Sequence, residues 1–163
     1  MDHAHPNPHH VHSGRPAKGE SLNYMALVAT LHCLLGCAIG EVAGLLIGTA
    51  LGWSNAATIV LAVALAFATG FAFTALPFLR RGYAIKAALR IALAADAASI
   101  TIMELVDNSL MLAIPGAMDA PIDSVFFWAS MLVSLAVAGV AAYPLNRWLI
   151  ARGKGHAAAH THH

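Results

Sequence analysis

The sequence predicts an all-α integral membrane protein, a four-helix bundle with disordered His-rich tails. Three observations predict it. The 163 residues are 59% hydrophobic and only 10% charged, against roughly 25% charged in an average soluble domain. A hydrocarbon core of about 30 Å needs about 20 helical residues, and four successive apolar runs reach that length. All nine Lys and Arg fall on one side of a four-span path. This composition excludes a disordered chain and argues against an ordinary soluble globule. A formal net charge of +1 leaves no electrostatic surplus for phosphates, so the lipid bilayer is the expected partner and nucleic acid is not.

Residues 1–23 form a polar tail with five histidines, His3, His5, His9, His10 and His12. Rich in proline as well, it cannot build a core and reads as disordered. Nor does it read as a cleavable signal peptide, because the apolar run behind it is too long. The transmembrane domain is expected over 24–151, with helices at about 25–52, 56–79, 85–114 and 124–150. Trp53, Ser54 and Asn55 make a short first turn, so the first two helices form an antiparallel hairpin. Pro77 and Gly82 mark the end of the second helix. Pro115, Gly116 and Pro121 mark the turn after the third, and Pro144 is expected to kink the fourth. Residues 152–163 form a second tail with four more histidines. Tracts of this kind collect copper, nickel or zinc weakly.

Orientation follows from the bases. Arg15 and Lys18 precede the first helix, Arg80, Arg81, Lys86 and Arg90 surround the second turn, and Arg147, Arg152 and Lys154 lie near the end of the fourth. The first and third turns carry none, and the third carries Asp119 and Asp123. By the positive-inside rule this is a multi-pass protein of the cell membrane with both termini cytoplasmic. Trp53, Trp128, Trp148, Tyr24, Tyr83 and Tyr143 lie near the proposed span ends, as an aromatic belt would.

Chemistry is confined to two helices. In the first, Gly36, Gly40, Gly44, Gly48 and Gly52 recur every fourth residue, a small-residue row that lets helix backbones approach closely. His32 heads this row, and Cys33, Cys37 and Glu41 run beside it. In the third, Asp96, Ile100, Met103, Asp107 and Met111 share a face, with Glu104 and Asn108 alongside. An Asp at the centre of a membrane helix costs about 2.5–3.5 kcal/mol on insertion scales, so these acids demand partners. Counting about 1.5 Å per residue from Tyr24 and from Ile85 predicts two polar layers. The lower holds His32, Cys33, Cys37 and Asp96. The upper holds Glu41, Met103, Glu104 and Asp107.

Thiolate, imidazole and thioether are ligands for Cu(I) or Zn(II), and carboxylates can accept the protons that binding releases. The expected metal ligands are therefore His32, Cys33, Cys37 and Met103. Glu41, Asp96, Glu104 and Asp107 are the expected proton or ion relay. A blander reading makes the cysteines small apolar packers and lets His32 satisfy a backbone carbonyl; protons or another cation are alternatives to a metal. Cys33 and Cys37, four apart on a helix, suit a shared ligand better than an unstrained disulfide. No Gly-rich phosphate loop, GxSxG or HExxH is present, so no enzyme is expected. Ser99, Ser109, Ser130 and Ser134 read as hydrogen-bonding groups within or between helices.

Three motifs together resemble a known family, domain of unknown function 4396, small prokaryotic membrane proteins. They are HCxxGCxxGExxG (His32, Cys33, Gly36, Cys37, Gly40, Glu41, Gly44), MExxDN (Met103, Glu104, Asp107, Asn108), and PxN followed by GKGH (Pro144, Asn146, Gly153, Gly155, His156). The resemblance covers about residues 25–157. The family has no established activity. Some members are similar to regions joined to, or found near, copper-handling proteins, which implies copper and a copper-handling partner.

The expected function is thus binding or movement of a soft transition-metal ion, copper ahead of zinc, through the buried site. Four helices make a thin wall for a pathway, which a homo-oligomer would thicken. The alternatives are a non-transporting subunit or assembly factor of a larger metalloenzyme, its glycine row facing that partner, and a redox or haem-binding subunit. Only one histidine inside the spans weakens the last.

Overall fold

The computed structural model of the chain describes residues 21–152. Four helices follow in order: α1 (Leu22–Ala50), α2 (Asn55–Arg80), α3 (Ile85–Ala113) and α4 (Val125–Ala151). The described residues contain no strand. Both His-rich tails lie outside them, as do Gly153, Gly155 and His156.

Local chemistry starts three of the helices. Ser21, Ser54 and Ser124 are N-caps, their side chains accepting from the backbone N–H of Tyr24, Ala57 and Phe127. Each satisfies an amide that has no partner inside its helix. The chain turns after α1 and α2 at Gly52 (φ 65°) and Gly82 (φ 87°), a left-handed conformation that a side chain opposes. Pro77 lies in the last turn of α2, which ends at Arg80, and Pro144 lies inside α4.

Among the described residues the α1–α2 interface is the most extensive. It is built on the glycine row. A methyl group on Gly36 would lie 2.8 Å from Gly70 Cα, on Gly40 2.3 Å from Ala66 N, and on Gly44 2.3 Å from Ala62 Cα. On Gly48 it would strike Thr58. These pairings step down α2 as they step up α1, so the two helices are antiparallel and in backbone contact along most of their length. The glycine row is therefore used within the chain. This corrects the expectation attached to the subunit alternative, in which that row faced another protein.

With α1 and α2 fixed, the other two helices close the bundle. Gly70 leaves room for Ile100 of α3; a methyl group there would lie 2.6 Å from Ile100 Cδ1. Ala75 and Phe78 of α2 pack with Ala88 and Ala92 of α3. Helix α4 covers α1 and α3. Phe127, Met131 and Leu135 form a core with Met111 and Ala117, and Ala26 and Ala29 meet Ile150. Arg147 Nε donates to Asn23 Oδ1 at 2.7 Å, joining the two ends of the described chain. At the opposite end of the bundle Asn55 Nδ2 donates to Asp119 Oδ1 at 3.2 Å, tying the first connection to the third.

Helices α1, α2 and α4 are long and apolar enough to cross a membrane. Helix α3 is as long as α1 but falls short in composition. The physical reason is its two-faced character: Asp96, Glu104 and Asp107 are buried within the bundle, while Leu93, Leu105 and Leu112 are exposed on its outside. A composition average cannot separate the two faces.

Gly40→Ala places a methyl group on α2 backbone that cannot move aside, so it is expected to lower stability by about 1–3 kcal/mol, the usual cost of overpacking. Gly139→Ala, whose methyl group would meet only the flexible end of Leu34 at 3.4 Å, is expected to be tolerated. Unfolding in mixed detergent micelles compares the two.

Candidate functional site

Two stripes run along α1, and their separation creates the site. Residues 36, 40, 44 and 48 face α2. Residues 30, 33, 37 and 41 lie around the helix from them, since each residue turns the chain by about 100°. All four of the second stripe are buried. They look into the space enclosed with α3 and α4 and meet partners at four successive levels.

At the level nearest the described chain ends, Asn146 Nδ2 of α4 donates to Thr30 Oγ1 at 2.9 Å, and Thr30 donates to Ala26 O at 2.8 Å. One turn further, the Cys33 thiol donates to Asp96 Oδ1 of α3 at 3.7 Å, with Ser99 beside it. At the third level Cys37 faces Glu104. Glu104 Oε2 is also 3.4 Å from Asn108 Nδ2 of its own helix. At the fourth, Glu41 faces Asp107, and the Ser134 hydroxyl of α4 lies within hydrogen-bonding distance of Asp107 Oδ1.

Met103 joins Cys33 and Cys37 in one buried cluster, with Ile100, Ala66, Ala138 and Ala142 around them. Cys33, Cys37, Met103, Asp96, Glu41, Glu104 and Asp107 are each no more than 5% exposed, so acyl chains cannot reach them. Glu41 Oε2, Glu104 Oε1 and Ser99 Oγ are buried without a hydrogen-bond partner. No Lys or Arg occurs anywhere from residue 19 to residue 79, nor from 91 to 146. The outer levels are therefore acid and thiol with no base to neutralise them.

The arrangement differs from two stacked layers. Asp96 is level with Cys33, but Glu104 pairs with Cys37, and Glu41 with Asp107. Met103 lies with the sulfurs rather than above them. Parallel helices rising at the same rate give a ladder of pairs, while Glu41 still faces both Asp107 and Glu104, the acids expected at its level. His32 is half-buried and packs edge-on against Phe73 of α2, ring centroids 5.7 Å apart. It does not converge with the two cysteines as a metal centre would need. Among the described residues no three His, Cys, Asp or Glu side chains do so.

Thr30, Ser99, Ser134 and Asn146 extend the column beyond the acids and sulfurs. A signal for Thr30 was available, since it precedes Cys33 by one helical turn on the same stripe. Ser134 was expected to hydrogen-bond within or between helices and does so with Asp107 and Met131, but which acid it meets depends on which helix faces Asp107.

These features define a class: an integral membrane four-helix bundle with a buried column of thiol, thioether and carboxyl groups. The chain belongs to the family called domain of unknown function DUF4396, whose model matches residues 23–155. No curated protein and no solved structure matches it.

The link between Thr30 and Asn146 is expected to stabilise the bundle modestly. Thr30→Val, Asn146→Ala and the double variant should give a coupling energy of about 0.6 kcal/mol, the average for such bonds inside membranes. Reversible unfolding in micelles measures it.

Proposed function

We propose that this protein binds and moves a soft transition-metal ion across the cell membrane, copper ahead of zinc, with both termini cytoplasmic. One observation carries the reading: Cys33, Cys37 and Met103 share a single buried cluster, and each thiol faces its own carboxyl group. Thiolate and thioether are the ligands that select Cu(I). Zinc normally takes four ligands in a closed site, more than these three sulfurs supply. Binding a metal requires the thiols to lose their protons, and Asp96 and Glu104 stand where those protons would go.

The glycine row, taken up by α2, gives a helix-packing partner nothing to grip, which weighs against the subunit alternative. His32 lies on the α2 side and is left out of the proposed ligand set. The concentration of bases around the α2–α3 turn and the chain ends supports the cytoplasmic assignment of that side.

Cu(I) titration of the full chain in lipid nanodiscs tests the reading, with X-ray absorption to separate sulfur ligation from binding by tail histidines. Wild type is expected to hold one copper on sulfur. The Cys33→Ser/Cys37→Ser variant should lose the sulfur signature altogether. Glu104→Gln, which removes an acceptor beside Cys37, should weaken binding by about 10–100-fold, as outer-shell substitutions at metal sites do. Copper bound by nitrogen alone in the wild type would rule the reading out.

A further inference from the structure

We infer that Glu41 and Asp107 form an acid pair that binds one exchangeable proton, a cation site separate from the sulfur cluster. The inference does not depend on metal binding, since neither cysteine belongs to the pair.

The argument begins with hydrogen inventory. The Glu41 and Asp107 carboxyl groups face each other across α1 and α3, both of them buried. An ionised carboxylate only accepts, so such a contact needs a proton on one of the two. Like charges held this close in a water-poor interior cannot both persist, as in paired aspartates that share one proton. The surroundings supply no other compensation. From α3 the pair is faced by Glu104, a third acid. From α4 it is faced by the Ser134 hydroxyl, which is neutral. Helix α2 contributes no titratable residue between 55 and 79, and α1 places near Glu41 the Cys37 thiol and no base.

Two further observations point to a ligand. Glu41 Oε2 and Glu104 Oε1 are buried and have no hydrogen-bond partner, though the residues are only 4% and 5% exposed. Buried acceptors of this kind are costly unless something donates to them. Ser134 Oγ lies within reach of both Asp107 Oδ1 and Met131 O, so its one hydrogen cannot serve both carboxyl groups, and the proton between them must be held by the pair itself. A metal ion is a poorer occupant, because no three acidic, thiol or imidazole side chains among the described residues converge on one point. A proton needs only two.

Infrared difference spectroscopy of the metal-free full chain in liposomes reads the site directly. At about pH 7, well above the titration range of ordinary carboxyls near 4, the wild type is expected to show a carboxylic-acid C=O band that shifts in heavy water. Glu41→Gln and Asp107→Asn should each remove one carboxyl's share of that band, because a carboxylate beside an amide can stay ionised. Ser134→Ala should keep the intensity and move the frequency. Asp123→Asn, in the α3–α4 connection, should change nothing. An absent band in the wild type overturns the inference without recourse to variants. So does a band that survives undiminished in both Glu41→Gln and Asp107→Asn, which would then belong to other acids. Glu41→Gln should retain copper on sulfur wherever wild type binds it. A chain that binds no copper yet keeps the band refutes the metal reading alone.

Discussion

Backbone contact between α1 and α2 is the constraint on which the rest of the structure depends. With Gly36, Gly40 and Gly44 pressed against Gly70, Ala66 and Ala62, α1 cannot rotate about its axis without a clash. That fixes the direction of every other stripe on the helix. Thr30, Cys33, Cys37 and Glu41 are then held toward α3 and α4, while Leu27, Leu31, Leu35 and Leu46 remain on the outside. In a bilayer, lipid tails are as apolar as leucine, so apolar burial gives little drive for helix association. Close packing of small residues supplies the orientation instead.

The polar column is the consequence. Glu41, Asp96, Glu104 and Asp107 are buried among alanine, methionine and isoleucine, and no Lys or Arg lies near the outer levels. Charged groups in such surroundings are costly unless neutralised or paired. The molecule meets this with groups that carry or accept a proton: a thiol for Asp96, a thiol for Glu104, and a second acid with a serine hydroxyl for Glu41. A column of this sort is poorly suited to pure packing, for which alanine or leucine would serve better. That composition is the ground for the proposed exchange of protons and soft cations.

Helix α3 shows how a chain can hide acidity from lipid. Its mean composition is the least apolar of the four helices, yet its exposed surface is lined by Leu89, Leu93, Leu105 and Leu112. The acids are spaced at 96, 104 and 107, close enough to helical periodicity to share the inward face. Pairing with α1 at one side and α4 at the other gives each acid a partner from a different helix. The helix least able to enter a membrane alone is therefore the one that the bundle needs to complete its interior.

Much of this was legible in the residues. Apolar run length and the distribution of Lys and Arg determined helix number and antiparallel order, because both are local properties of a chain in a bilayer. The glycine spacing revealed a tightly packed face, and the helical period placed Cys33, Cys37 and Glu41 on one stripe. What the residues could not determine was which helix would receive each face. That choice depends on mutual fit: α2 offers Gly70, Ala66 and Ala62 at the matching spacing, so it takes the glycine row and leaves α3 and α4 to the polar stripe. Axial register was equally hidden, because a shift of one turn exchanges Cys37 for Glu41 opposite Glu104. Only packing of Ile100 against Gly70, and of Asn146 against Thr30, sets that shift. Tertiary contact thereby decided which partner each buried acid faces, that Met103 joins the two cysteines, and that His32 packs edge-on against Phe73.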